Sequence, residues 1–99
     1  MPAPIPGSGP HPGPGRFLER LAAVPVLAIL RAADAGRFLE VGRVLYEAGV
    51  RAIEMTLTSR GALEAFGRLR GELAGDAVLG VGTVRSARDA ELAVEAGAT

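Results

Sequence analysis

From Arg16 onward, apolar and polar positions alternate in blocks that repeat along the chain. Phe17, Leu18, Leu21 and Ala22 recur at i, i+1, i+4 and i+5, the spacing of one face of a short helix. Val24 to Leu30 follows as a near-continuous apolar run with β-branched members, which predicts a strand buried on both faces of a parallel sheet. Asp34 then stands where a helix N-cap belongs, ahead of an apolar stripe of Phe38, Leu39, Val41, Gly42, Leu45 and Tyr46. Gly49 occupies the place of a left-handed residue closing that helix.

The order then repeats. Ala52 to Leu57 reads as a second strand. Ser59 reads as the cap of a helix carrying Leu63, Phe66, Leu69, Arg70 and Leu73, with Gly75 at its end. Val78 to Val81 reads as a third strand. Ser86 and Asp89 resemble a capping box with aspartate in place of glutamate, opening a helix from Ala87 to Ala96 that Gly97 closes. The triplet Glu-Ala-Gly ends a helix at both 47–49 and 95–97. Strand centres near Val26, Ile53 and Leu79 recur at intervals of 27 and 26 residues. Strand–helix units of that length with short loops predict parallel βαβ connections.

The predicted class is therefore α/β: a short leading helix and three βα units. At Thr99 a fourth strand is due, and a (β/α)8 barrel needs roughly 200 residues or more. The expectation is the N-terminal part of a TIM barrel over residues 16–99, truncated before strand four. Six of the seven prolines lie within residues 1–14, interleaved with glycines, so residues 1–15 are expected to form a disordered Pro/Gly-rich leader. His11 falls in that leader, where no role is expected of it.

Composition narrows the chemistry. The chain has 11 basic and 11 acidic residues and no net charge. Without a basic cluster it has no electrostatic footprint for nucleic acid. It contains no cysteine and a single histidine, so no thiolate or histidine-rich metal site is expected, and no cofactor is called for. The longest apolar run, Leu21 to Leu30, is half of what a membrane span needs. Glu19, Pro25 and Arg31 break the pattern of a secretion signal, so a cytoplasmic location is expected. All the basic residues are arginine, and a chain without lysine holds no Schiff-base nucleophile.

In parallel α/β folds chemistry gathers at the carboxyl ends of strands. Three places qualify: Arg31 after strand one, Glu54 with Thr56, Thr58 and Ser59 around the end of strand two, and Gly80-Val81-Gly82-Thr83 at strand three. Glu54 is the sharpest, because a free carboxylate between Ile53 and Met55 is costly to bury and suits general acid–base work. An ion pair with Arg31 or Arg51, or simple exposure at the strand end, would equally account for it. Gly80 and Gly82 permit close backbone approach, either to a ligand or within the sheet. They do not make a dinucleotide fingerprint, since Arg85 stands where the third glycine would be. Arginines 37, 43, 51, 68, 70, 85 and 88 interleave with acids as a solvated, paired helix surface would.

Three blocks together, Val24-Pro25-Val26-Leu27-Ala28-Ile29-Leu30-Arg31, Ala48 to Thr58 (AGVRAIEMTLT) and Gly80-Val81-Gly82-Thr83-Val84, resemble the 2-keto-3-deoxy-6-phosphogluconate (KDPG) aldolase family. Its members also include 4-hydroxy-2-oxoglutarate (KHG) aldolases. The resemblance implies a class I aldolase of carbohydrate metabolism (the Entner–Doudoroff route) on a TIM barrel, a cytoplasmic homotrimer that cleaves a 2-keto acid to pyruvate and an aldehyde. An imine to a lysine on a later strand carries that reaction. The resemblance implies further that Glu54 moves protons, that Thr83 holds the pyruvyl carboxylate and that Arg31 lies at the same barrel mouth. Many members place a carboxylate-binding arginine where this chain has Thr58, and Arg60 is displaced from that position by two. A non-catalytic half-barrel, assembling with itself or a partner, is the alternative expectation for a lysine-free chain.

Overall fold

The computed structural model describes residues 14–73 and 75–98. Its elements alternate from the start: α1 (Pro14–Ala23), β1 (Leu27–Leu30), α2 (Phe38–Glu47), β2 (Ala52–Thr56), α3 (Ala62–Glu72), β3 (Val78–Gly82) and α4 (Ala87–Glu95). The strands form one parallel sheet in the order β1-β2-β3. Consecutive strands are neighbours and the order does not reverse, as in the opening units of a βα barrel. This is a small α/β fold, consistent with part of such a barrel. Helix α1 begins at Pro14, inside the span expected to be leader; proline is tolerated there because the first turn has no use for its missing N–H. The rest of that expected leader, with His11, lies outside the described residues. No helix among them is long and apolar enough to cross a membrane.

Register sorts the side chains by face. Ile29, Glu54 and Gly80 share one row, and the rows on either side point the opposite way. Ile53, Met55 and Leu79 therefore face the helices, where they bury Phe38, Ala62, Phe66 and Leu69 in one cluster. On the other face α1 brings Phe17 beside Leu27, Glu54, Val78 and Gly80 around a cavity of about 120 Å³. That face is otherwise thinly covered: Leu27 is 41% and Ile29 57% exposed. The strand expected to be buried on both faces is thus shorter and open on one, because β1 is an edge strand with only α1 opposite it. Leu18, expected on the buried stripe of α1, is exposed instead.

The two Glu-Ala-Gly triplets do end helices in the same way. Gly49 and Gly97 adopt φ of 107° and 100°. In each case the glycine N–H donates to the carbonyl three residues back, and the next N–H to the one five back, at Leu45 and Ala93. This paired closure satisfies carbonyls the helix leaves over. Ser86 caps α4 by accepting from the Asp89 N–H at 3.0 Å, while the Asp89 carboxylate accepts from the Arg85 N–H at 3.3 Å. Two expected caps are wrong. Helix α2 starts after Arg37 with no side-chain cap, and Asp34 instead closes a turn onto the Gly36 N–H at 2.7 Å. The Asp34 backbone pairs with Arg60 as a parallel bridge, which holds it away from the helix start. Helix α3 follows Gly61 in a left-handed conformation, and the Ser59 hydroxyl is turned into the protein. That helix ends at Glu72, short of Gly75.

Away from the carboxyl ends of the strands, Asp76 ties three elements together. It accepts from the Tyr46 hydroxyl at 2.6 Å and from Arg51 Nε at 3.0 Å, and its carbonyl accepts from Arg20 of α1 at 2.6 Å. Arg51 also stacks over the Tyr46 ring at 3.9 Å. The Tyr46 hydrogen bond, with Arg51 adding to it, holds the Asp76 carboxyl below the usual carboxylate range; the same hydrogen bond, opposed by the Arg51 charge, pushes the Tyr46 phenol up. A depressed carboxyl contributes stability above its unfolded value and loses it as pH falls through the folded one. A raised phenol contributes below the ordinary tyrosine range and loses it as pH rises beyond. Urea unfolding across pH should therefore show the stability gap between the native chain and Tyr46→Phe shrinking at both the acid and the alkaline limb. A gap that stays constant through the acid limb would show that Asp76 carries none of it.

Candidate functional site

The carboxyl ends of the three strands bring together most of what the sequence singled out. Arg31 follows β1 directly, and its Nη2 donates to the Thr83 hydroxyl at 3.3 Å across a separation of 52 residues. Thr83 follows β3 and has φ of +59°, alone among the described non-glycine residues in that region. For a β-branched side chain this is a strained conformation, and such strain concentrates at functional sites. Replacing Thr83 by glycine should relieve about 1–2 kcal/mol of it and cost about 0.5–1 kcal/mol of chain entropy, a small net gain. Urea titration would check this; a clear loss of stability would mean that the contact with Arg31 outweighs the strain.

Glu54 lies on the open face of β2, half-buried, with its partners in register being Ile29 and Gly80. Neither expected ion pair forms. Arg51 is engaged by Asp76 and Arg31 by Thr83. The Glu54 carboxylate instead rests against Gly82, so closely that a side chain there would overlap its Oε1. Gly82 thus makes room for the protein's own carboxylate, while Gly80 faces open space. Because Gly82 adjoins Thr83, the carboxylate and the Arg31–Thr83 pair occupy one end of the sheet.

Thr58 is exposed in the turn after β2. It lines a cleft of about 320 Å³ with Arg60, Glu64, Thr83, Arg85 and Asp89. Thr83 therefore connects this cleft to Arg31. Arg85 was expected on a paired helix surface; it sits in the loop between β3 and α4 and lines the cleft. Its place two residues after Thr83 was the available signal, obscured by the many neighbouring charges. The other expected pairing holds for Arg37–Glu40, Arg43–Glu72 and Arg88–Glu91. Chemically, the site sets a half-buried carboxylate beside a guanidinium–hydroxyl pair whose donors suit a carboxylate or another anion.

The family model for KDPG and KHG aldolases matches residues 17–99. The chain belongs to this aldolase family. It is also 38% identical over 81 residues to the 2-dehydro-3-deoxy-phosphogluconate aldolase of Treponema pallidum (strain Nichols). That match covers 82% of this chain and 37% of the Treponema protein, so the chain spans little more than a third of its aldolase relative. Membership in this family agrees with the three-stranded parallel sheet.

Proposed function

We propose that these residues supply the proton-transfer and carboxylate-binding part of an aldolase site that cleaves 2-keto-3-deoxy-6-phosphogluconate or 4-hydroxy-2-oxoglutarate. The products are pyruvate and an aldehyde. The observation carrying this reading is the convergence of Glu54, against Gly82, with the Arg31–Thr83 hydrogen bond at one end of the sheet. In the proposal a lysine amine forms an imine with the keto carbon, expelling water, and the imine then draws electrons from the carbon–carbon bond that breaks. Glu54 moves protons in both steps. Arg31 and Thr83 hold the pyruvyl carboxylate, and Thr58 meets the substrate from the neighbouring cleft. These 99 residues include no lysine, so the amine comes from outside them and the chain by itself is inactive. A cytoplasmic homotrimer for the complete enzyme is part of the same proposal.

Borohydride reduction in the presence of pyruvate tests it. The native cell's protein containing these residues should acquire a reduced pyruvyl adduct on a lysine outside them, detected by peptide mass. A folded protein that yields no adduct would overturn the reading. The exposed Leu27 and Ile29 on the open face favour a second reading, in which the chain is a binding half-barrel that pairs through that face. Sedimentation of the 99-residue chain discriminates: a discrete folded oligomer without aldolase activity supports pairing, whereas aggregate or monomer counts against it.

A further inference from the structure

Thr56 and Ser59 are 1% and 2% exposed, and both are polar. Their hydroxyl oxygens lie 2.9 Å apart. Ser59 Oγ also accepts from the Ala32 N–H at 3.1 Å, and Thr56 Oγ1 donates to the Leu30 carbonyl at 3.4 Å. Only one proton arrangement satisfies all of these contacts. A carbonyl cannot donate, so the Thr56 proton goes to Leu30, and Ser59 must then give its own proton to Thr56. The result is a directed relay from the Ala32 N–H through Ser59 and Thr56 to the Leu30 carbonyl. It begins and ends on the two residues that flank Arg31.

We propose that Thr56 and Ser59 are positioning residues, whose hydroxyl relay pins the backbone on both sides of Arg31 and so aims its guanidinium at Thr83. The inference rests on the proposed function only in taking Arg31 and Thr83 to meet a substrate carboxylate. β1 ends at Leu30, so the sheet ladder no longer fixes Arg31. A long side chain on an untethered loop would sample many rotamers before meeting a hydroxyl. Fixing the backbone removes much of that freedom before any ligand arrives, which is where preorganisation gains affinity. The Arg60 backbone, donating to Ala33 and accepting from Ala35, continues the same tether further along the loop. Neither hydroxyl reaches the open site, since both are buried, so their effect passes through Arg31.

The test reads Arg31 directly. In the complete protein containing these residues, labelled with nitrogen-15 arginine, the Arg31 side-chain signal is assigned by its loss in Arg31→Lys. Thr56→Val keeps the volume and removes the relay, Ser59→Ala removes its other half, and Thr56→Ser restores a hydroxyl without the methyl group. The expected result is an ordered Arg31 signal in the native chain and in Thr56→Ser, and its collapse towards the signals of exposed arginines in Thr56→Val and Ser59→Ala. A purely structural pair would lower the melting temperature and leave the Arg31 signal in place; that outcome in folded variants overturns the proposal. Should both deletions fail to fold, hydrogen exchange of the Ala32 N–H in the native chain decides. Protection well beyond that of exposed loop amides supports the relay, and exchange at their rate overturns it. Pyruvate is the ligand probe, and its Kd should rise about tenfold in both deletions, the loss expected when one charge-assisted contact is disordered. A native Arg31 signal that is ordered but unmoved by pyruvate would overturn the functional reading and leave the relay standing.

Discussion

Glu54→Gln in the assembled enzyme should lower turnover by about 10²–10⁴-fold, the range a positioned acid–base group contributes, while pyruvate affinity changes little. Glutamine keeps the shape of the side chain and cannot exchange a proton. A substitution elsewhere should have the same effect. A Cβ at Gly82 would overlap the Glu54 carboxylate, and the backbone there lies outside the positive-φ region, so alanine fits the main chain. The atoms in its way are the end of a flexible side chain, which can swing aside. Gly82→Ala should therefore fold and yet lose turnover as Glu54→Gln does. Gly80→Ala, whose Cβ meets open space, should retain activity. Steady-state kinetics with circular dichroism on the three variants checks this. Full activity in Gly82→Ala would show that the position of Glu54 at the sheet end does not matter; equal loss of turnover and affinity in Glu54→Gln would make it a binding group.

Phe66→Ala should abolish cooperative unfolding. Phe66 is 1% exposed and packs with Ile53, Met55, Leu69 and Phe38, the layer that joins α2 and α3 to the sheet. Removing a buried phenylalanine costs about 3–5 kcal/mol through lost transfer energy and the cavity left behind. Domains in general are stable by only about 5–15 kcal/mol, and short chains bury a smaller share of their surface. The loss therefore consumes most of what a chain this short has. Leu18→Ala, at an exposed position of α1, should shift stability by less than about 0.5 kcal/mol. Thermal melts followed by circular dichroism would separate the two, and a Phe66→Ala chain that still melts sharply near the native temperature would place the stabilising core elsewhere.

The strand–helix period, the parallel sheet and the glycine closures at Gly49 and Gly97 were legible because each depends on residues a few positions apart. A glycine that must adopt positive φ is marked by its own identity. Ser86 was legible as a cap for the same reason: donor and acceptor are three residues apart. Asp34 and Ser59 carried an equally good local signal and do something else. In both cases a partner far along the chain outcompetes the helix start: the bridge to Arg60 for Asp34, and Ala32 with Thr56 for Ser59.

The same division runs through the site. Sequence placed Arg31, Glu54, Thr58 and Thr83 at strand ends, since alternation along a strand and the position of loops follow from backbone geometry. Which of them touch, and through what, was decided only by folding. Thr83 receives the Arg31 guanidinium from 52 residues away, and Glu54 avoids both arginines to lie against Gly82. A carboxylate's partner depends on which side chain reaches it once the strands are in register, and register is a property of the whole sheet. By itself the sequence determined the elements, their order and the family; the tertiary structure decided the partners, because contacts between strands and loops form only when distant segments meet.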